Sequence, residues 1–307
     1  MPVLVTAAGV QAGVRFLEFF ASNIRNPNTR RAYAHAVGEF LAWCAQAGVT
    51  SITAVQPLHV AAWIELQTQT LSALTIKQHL AAIRHLFDWL VIGQVVPHNP
   101  AASVRGPSHT TRKGKTPVLD ASEARQLLDS IDVSTPIGLR DRALIALMVF
   151  SFARIGAALA MRVDDVFVQN RRLWVRLREK GGKRHEMPCH HTLDAYLHAY
   201  LDGTGIGADP KGALFRTIQR GTGQLSDTPL PQANAYAMVQ RRAFAAGIGT
   251  KIGNHTFRAT GITAYLKNGG TLENAATMAN HASTRTTQLY DRRHDEISLD
   301  EVERIRV

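Results

Sequence analysis

Six side chains in the second half of the chain are of types that can work on a phosphate ester: Arg154, Lys180, His255, Arg258, His281 and Tyr290. Breaking a phosphodiester without a metal asks for three things. Fixed cations must surround the negative charge that grows on the nonbridging oxygens. Arginine suits this because its planar fork donates two hydrogen bonds at once to phosphate oxygens. A nucleophile must attack in line, and a general acid must protonate the departing oxygen. Arg154 stands in Phe152-Ala153-Arg154-Ile155-Gly156, at the end of a long apolar stretch. Lys180 lies in Glu179-Lys180-Gly181-Gly182-Lys183, where a hairpin turn can swing an ammonium group. His255 and Arg258 are three residues apart and share one helix face. His281 is followed nine residues later by Tyr290. Each alone has an ordinary reading. An arginine after an apolar helix is usually a cap, Lys-Gly-Gly-Lys is usually just a turn, and most of six tyrosines serve a core or an interface. The set is specific where its members are not.

The composition points to a polyanionic partner. Thirty-five Lys and Arg against 24 Asp and Glu leave a net charge of +11, a surplus that favours DNA or RNA. Cys44 and Cys189 form neither a disulfide framework nor a metal-ligand spacing, which fits a reducing compartment. The N-terminus, MPVLVTAAGV, lacks the basic start of a secretory signal. The longest apolar run, Ala143 to Ala153, is broken only by Ser151 and is too short to span a bilayer. A soluble, intracellular protein is the expectation, with no membrane partner.

The elements that must position these side chains read as mainly α, with one small antiparallel sheet. In the first 105 residues, helical spacing picks out Tyr33, Val37, Phe40, Leu41 and Cys44 after Asn28-Thr29, closed by Gly48. A second helix runs from Thr75 towards Gly93 with Ile76, Leu80, Ile83, Leu86, Phe87 and Leu90 inward, and a further one lies over Pro57 to Gln69. Residues 106–117, GPSHTTRKGKTP, offer almost nothing apolar to bury and read as a basic linker. Residues 118–307 form the second domain. There Asp120 and Glu123 signal a capping box, a long apolar helix follows from Leu139 through Phe152, and Leu173 to Leu177 alternate as a strand. His185 to Pro188 is the returning partner strand, and Asn234 to Ala246, Phe257 to Lys267 and Thr271 to Asn280 read as helices.

With these residues in view, the chain resembles the tyrosine recombinases, the phage integrase family. Arg140 to Val166, RDRALIALMVFSFARIGAALAMRVDDV, is similar to that family's first-arginine region. The Lys180 hairpin, the His255–Arg258 motif and the spacing from His281 to Tyr290 follow in the family's order. The N-terminal part, with NTRRAY and TIKQHLAAIRHLFDWL, resembles its helical core-binding domain, and the resemblance covers essentially the whole chain. Three positions depart from the pattern. Ala157 stands where a carboxylate usually follows the first arginine and helps orient the site, which leaves open a slower enzyme or support from another side chain. Ala259 replaces a common histidine, and Asn280 replaces a glycine before the second histidine.

The resemblance implies a site-specific DNA recombinase or integrase that needs no metal or cofactor. Tyr290 attacks the scissile phosphate and forms a 3′-phosphotyrosine. A phenol is mostly protonated at neutral pH, so His255 accepts that proton or holds the ring in line. Arg154 and Arg258 clamp the nonbridging oxygens, Lys180 protonates the leaving 5′ oxygen, and His281 donates to the phosphate. Double-stranded DNA bearing recombination sites is the implied partner, with a homotetramer as the synaptic form. Ser298 with Glu301, followed by Leu299, Val302 and Ile305 at helical spacing, reads as a terminal helix that docks on a neighbouring protomer or folds back on its own domain. Candidate phosphate contacts are Arg30, Arg31, Lys77, Arg84, Arg112, Lys113 and Lys115. Alternative outcomes are a type IB topoisomerase or telomere resolvase with the same chemistry, and a non-catalytic DNA-binding protein on the same fold. A metal-dependent nuclease would need a carboxylate cluster, for which Asp164-Asp165 is the one tempting pair.

Overall fold

A computed structural model describes residues 1–110, 114–179 and 182–292 of the protein. The chain divides into two compact units, Met1–Thr110 and Thr111–Val307. Arg112, Lys113, Lys180 and the terminal segment around Ser298 to Ile305 lie outside the described residues.

The first unit is all helical. It comprises α1 (Val3–Ala7), α2 (Val10–Glu18), α3 (Pro27–Gln46), α4 (Pro57–Thr68) and α5 (Ala73–Ile92). Start signals are local: the Asn26 side chain accepts from the backbone N–H groups of Asn28 and Thr29, and Ser72 accepts from that of Thr75. Pro27 and Pro57 each stand in a first turn, where a missing N–H costs nothing. The apolar faces of α3, α4 and α5 meet in a core of Val37, Phe40, Leu41, Trp63, Ile76, Ile83 and Phe87. All three helices were expected from periodicity. α1 and α2 were not, and α2 is tied down by Trp89, whose indole N–H donates to the Arg15 carbonyl at 2.9 Å.

The second unit wraps helices around the apolar α7. In chain order it holds α6 (Ala121–Asp129), α7 (Pro136–Phe150), α8 (Ile155–Leu159), β1 (Val166–Gln169), β2 (Arg172–Arg178), β3 (Arg184–Pro188), α9 (His191–Thr204), β4 (Arg216–Ile218), β5 (Leu225–Pro229), α10 (Gln232–Ala245), α11 (Asn254–Lys267), α12 (Leu272–Met278) and α13 (Thr284–Gln288). Asp120 and Glu123 cap α6 reciprocally, as their spacing predicts. α7 is apolar on nearly every side, the pattern of a helix buried all round. β1, β2 and β3 make an antiparallel sheet in which Val175 pairs with Met187 and Leu177 with His185. β4 and β5 form a second hairpin.

Two features fix the spacing of the helices that matter for the site. Asp141 of α7 is buried and receives paired hydrogen bonds from Arg140 (3.0 and 2.6 Å) and from Arg242 of α10 (3.0 and 2.8 Å). Arg140 also donates to the Arg216 carbonyl of β4 at 2.9 Å, so one carboxylate ties three elements together. α11 crosses α7 at Gly261, where an added Cβ would lie 2.0 Å from the Val149 carbonyl oxygen. Only a residue without a side chain permits that approach.

Candidate active site

The first arginine is set by a helix end. α7 stops at Phe150, and Phe152 then takes a left-handed φ of +53°, which redirects the chain. Arg154 follows as the N-cap of α8, and its carbonyl accepts from Ala157 and Ala158 at 2.9 and 3.0 Å. Backbone rather than side chain does the capping, so the guanidinium is free to turn elsewhere. It pairs with Glu179, at the base of the β2–β3 hairpin. Glu179 is held in turn by its own backbone, which donates to the Lys183 carbonyl (2.8 Å) and accepts from Gly182 N–H (3.1 Å).

His255 and Arg258 both ride on the first two turns of α11, but they face different surroundings. His255 is exposed, whereas Arg258 is 1% exposed. Arg258 donates through one terminal nitrogen to the Phe152 carbonyl and through the other to the Ala279 carbonyl. The second nitrogen also lies 2.6 Å from His281 Nε2. Because a guanidinium only donates, His281 Nε2 is the acceptor and its proton sits on Nδ1, which donates to Thr287 Oγ1 at 2.8 Å. The Nε–H of Arg258 is buried without a protein partner.

Tyr290 closes the cluster. Its ring stacks on His281 with centroids 5.7 Å apart and planes 13° from parallel, and the Arg258 guanidinium carbon lies 6.0 Å from the ring centre. Thr263 of α11 donates to the Tyr290 carbonyl at 2.7 Å, so the turn after α13 is pinned by its backbone and the phenol is left unencumbered by that bond. Asn280, just before His281, has φ +47°. That is the left-handed region that glycine or asparagine tolerates best, which accounts physically for an asparagine where the family pattern has glycine.

Charge effects locate these groups in one site. Burial, then Arg154, push Arg258 down to about 10, opposed by Tyr290 and Glu179, so it stays protonated at neutral pH. Burial, then Arg258 and Arg154, lower His281 to about 4 and keep the imidazole neutral. His255 is lowered by the same three causes in the same order. The structure thus brings together Arg154, His255, Arg258, His281 and Tyr290, and Lys180 follows Glu179 directly in sequence.

The Asp164-Asp165 pair and two of the basic candidates have structural partners. Asp164 pairs with Lys211 at 2.6 Å, and Asp165 accepts from the Arg162 backbone at 2.9 Å, so the two carboxylates serve separate structural ends. Among the described residues no group of three or more His, Cys, Asp or Glu side chains is arranged to hold a metal ion. Of the first unit's basic candidates, Arg31 and Lys77 are exposed. Arg30 donates twice to the Ile24 carbonyl (3.1 and 2.8 Å), and Arg84 donates to the carbonyls of Ala101 and Val104. Lys115 is exposed in the second unit. No helix among the described residues is long and apolar enough to cross a membrane. Residues that sequence reasoning missed are Glu179, Thr263 and Thr287. A carboxylate in a polar turn and two helix threonines carry no signal of their own.

A five-helix unit followed by a mainly helical unit with two small sheets, which gathers two arginines, two histidines and a tyrosine, defines a tyrosine-recombinase class of protein. The chain belongs to the phage integrase family: residues 117–296 match its model, and residues 14–93 match the phage integrase N-terminal SAM-like domain. It is 29% identical over 274 residues to a tyrosine recombinase XerD of Corynebacterium glutamicum, covering 86% of both chains. It is 24% identical over 282 residues to a tyrosine recombinase XerC of Salmonella typhi, covering 90% of this chain and 89% of that one. Among solved structures, the fold matches the XerH site-specific recombinase bound to palindromic difH substrate in a post-cleavage complex, with a TM-score of 0.71 at 17% identity over 99% of this chain and 96% of that one. It also matches a lambda integrase (residues 75–356) dimer bound to a COC′ core site, with a TM-score of 0.69 at 17% identity over 93% and 96%.

Proposed function

We propose that this enzyme cleaves and rejoins duplex DNA at specific sites, with Tyr290 as the nucleophile. Attack by the phenol oxygen on the scissile phosphorus forms a 3′-phosphotyrosine and releases a 5′-hydroxyl. The phosphoester bond is conserved in the intermediate, so a second strand's 5′-hydroxyl reverses the step without ATP. Arg154 and Arg258 neutralise the nonbridging oxygens. His255, neutral and open to solvent, takes the phenolic proton. Lys180 protonates the leaving 5′ oxygen. The observation that carries this reading is the stack of Tyr290 on His281 with Arg258 bonded to the same imidazole. A nucleophile, a neutral imidazole and a buried cation are thereby fixed before DNA arrives. The unpartnered Nε–H of Arg258 is a donor in want of an acceptor oxygen. For His281 to donate to the phosphate from Nε2, its proton must move from the Thr287 side once Arg258 turns to the anion.

The first unit grips the duplex through Arg31 and Lys77, and the basic segment 106–117, with Arg112, Lys113 and Lys115, lies along the phosphate backbone. Exchange between two duplexes takes four cleavages, hence four protomers on two sites. The segment from Ser298 onward joins them by docking on a neighbour. A duplex nicked beside the cleavage position tests the chemistry, because the freed fragment diffuses away and traps the adduct. Wild-type protein gives a covalent protein–DNA species in EDTA, and Tyr290→Phe gives none at nearly unchanged affinity. Strand joining by Tyr290→Phe overturns the assignment.

A further inference from the structure

We propose that Glu179 is the positioning carboxylate of Arg154, taking over from the hairpin a task that position 157 does not perform in this chain. Ala157 is buried on α8, one turn beyond Arg154, and carries no polar atom in its side chain. Arg154 instead meets a carboxylate 25 residues further along the sequence. The asymmetry of burial assigns the roles: the Glu179 side chain is 3% exposed and the Arg154 side chain 35%. The carboxylate is the fixed member, and the guanidinium reaches from it towards solvent, where a phosphate docks.

A buried carboxylate needs a partner, because an isolated charge at that depth is costly. Arg154 supplies it. Arg154 gains a defined orientation in return, since a long side chain with one end anchored loses fewer rotamers when the phosphate binds. Glu179 also acts across the site. Arg154 and Arg258 repel each other, and Glu179 offsets part of that repulsion at Arg258. Its backbone contacts to Gly182 and Lys183 fasten it to the start of the returning strand. One residue therefore registers the hairpin against the arginine on α8.

This rests on the recombinase reading, and the test separates the two. Glu179→Gln keeps the size and an acceptor oxygen but removes the charge. Adduct formation on the nicked duplex should slow by about tenfold to a hundredfold, the range for a lost charge-assisted hydrogen bond, with duplex affinity and melting temperature close to wild type. Adding Ala157→Glu to Glu179→Gln should restore most of the rate by returning a carboxylate to the same guanidinium from the other side, a recovery that a merely structural glutamate would not allow. A second readout does not depend on cleavage. Arg154 modification by phenylglyoxal, followed by peptide mass spectrometry, should rise several-fold in Glu179→Gln and fall again in the double variant. An unchanged or faster adduct rate in Glu179→Gln, or no recovery in the double variant, overturns the proposal. If wild-type protein forms no adduct at all, the recombinase reading fails, and the phenylglyoxal arm alone decides whether Glu179 holds Arg154.

Discussion

Gly261→Ala tests the geometry on which the whole site depends. The glycine lies where α11 crosses α7, and the new Cβ would fall 2.0 Å from the Val149 carbonyl oxygen and 2.8 Å from the Phe152 ring. Carbon and oxygen sit comfortably only well beyond 3 Å, so the helices must part by more than about 1 Å. A backbone carbonyl in a buried helix cannot step aside. Over-packing of this kind costs about 1–3 kcal/mol, which lowers the melting temperature of a unit this size by about 2–4 °C per kcal/mol. The effect on chemistry is larger. α11 carries His255 and Arg258, while Arg154 and the Phe152 carbonyl follow α7. A misplacement near 1 Å between reacting groups costs on the order of a hundredfold in rate. Differential scanning calorimetry and adduct kinetics on the nicked duplex give the two numbers. Gly38→Ala is the matched control, since Gly38 is exposed within α3 with nothing within 4 Å of its added Cβ, and it should gain about 0.5–1 kcal/mol. A Gly261→Ala protein that melts and cleaves like wild type refutes the close crossing.

Two further outcomes follow from charge placement. His281 is held near 4 in the folded protein against an ordinary value of 6.5, so the unfolded chain takes up its proton first as pH falls. The stabilisation is complete above pH 6.5 and is lost progressively down to about 4, up to about 3 kcal/mol at this site. His281→Asn should flatten that part of the melting-temperature profile, and identical acid slopes in both proteins contradict a neutral buried imidazole. Arg84 and Lys77 should separate in kind. Arg84→Ala removes the bonds to the Ala101 and Val104 carbonyls and should destabilise the first unit by about 1–3 kcal/mol. Lys77→Ala, from an exposed position, should leave melting unchanged and reduce the salt dependence of duplex binding by about one counterion. Equal salt slopes for Lys77→Ala and wild type remove Lys77 from the DNA face.

Legibility followed the range of the interactions. α3, α4, α5, α6 and α7 could be read because caps and apolar spacing are properties of adjacent residues, as the Asp120–Glu123 pair illustrates, whereas the caps at Asn26, Ser72 and Thr135 lie a few residues before the starts that periodicity marks at Asn28, Thr75 and Leu139. The β2–β3 hairpin was legible for the same reason. α9 was not, because its apolar residues are interleaved with His, Tyr and Asp, and β4–β5 were too short and polar to alternate. Within the site, residue types and order identified five side chains that the fold gathers. Their partners stayed hidden. That Arg84 spends its guanidinium on carbonyls while Lys77 faces solvent depends on which way each leaves α5. That Glu179 stands in for the carboxylate absent at Ala157 depends on a hairpin folding back across 25 residues.

Arg258 closes two chain ends at once, the turn after α7 through Phe152 and the turn after α12 through Ala279. It is a rivet as well as a reagent. A descendant of this protein that stopped cutting DNA would still need the rivet to seat α11 and α12 against the end of α7, whereas the hydroxyl of Tyr290 has no comparable duty, the Thr263 bond falling on its carbonyl and the stacking on its ring. Loss of function in this lineage should therefore be written first in the tyrosine, and the arginine should outlast the activity it serves.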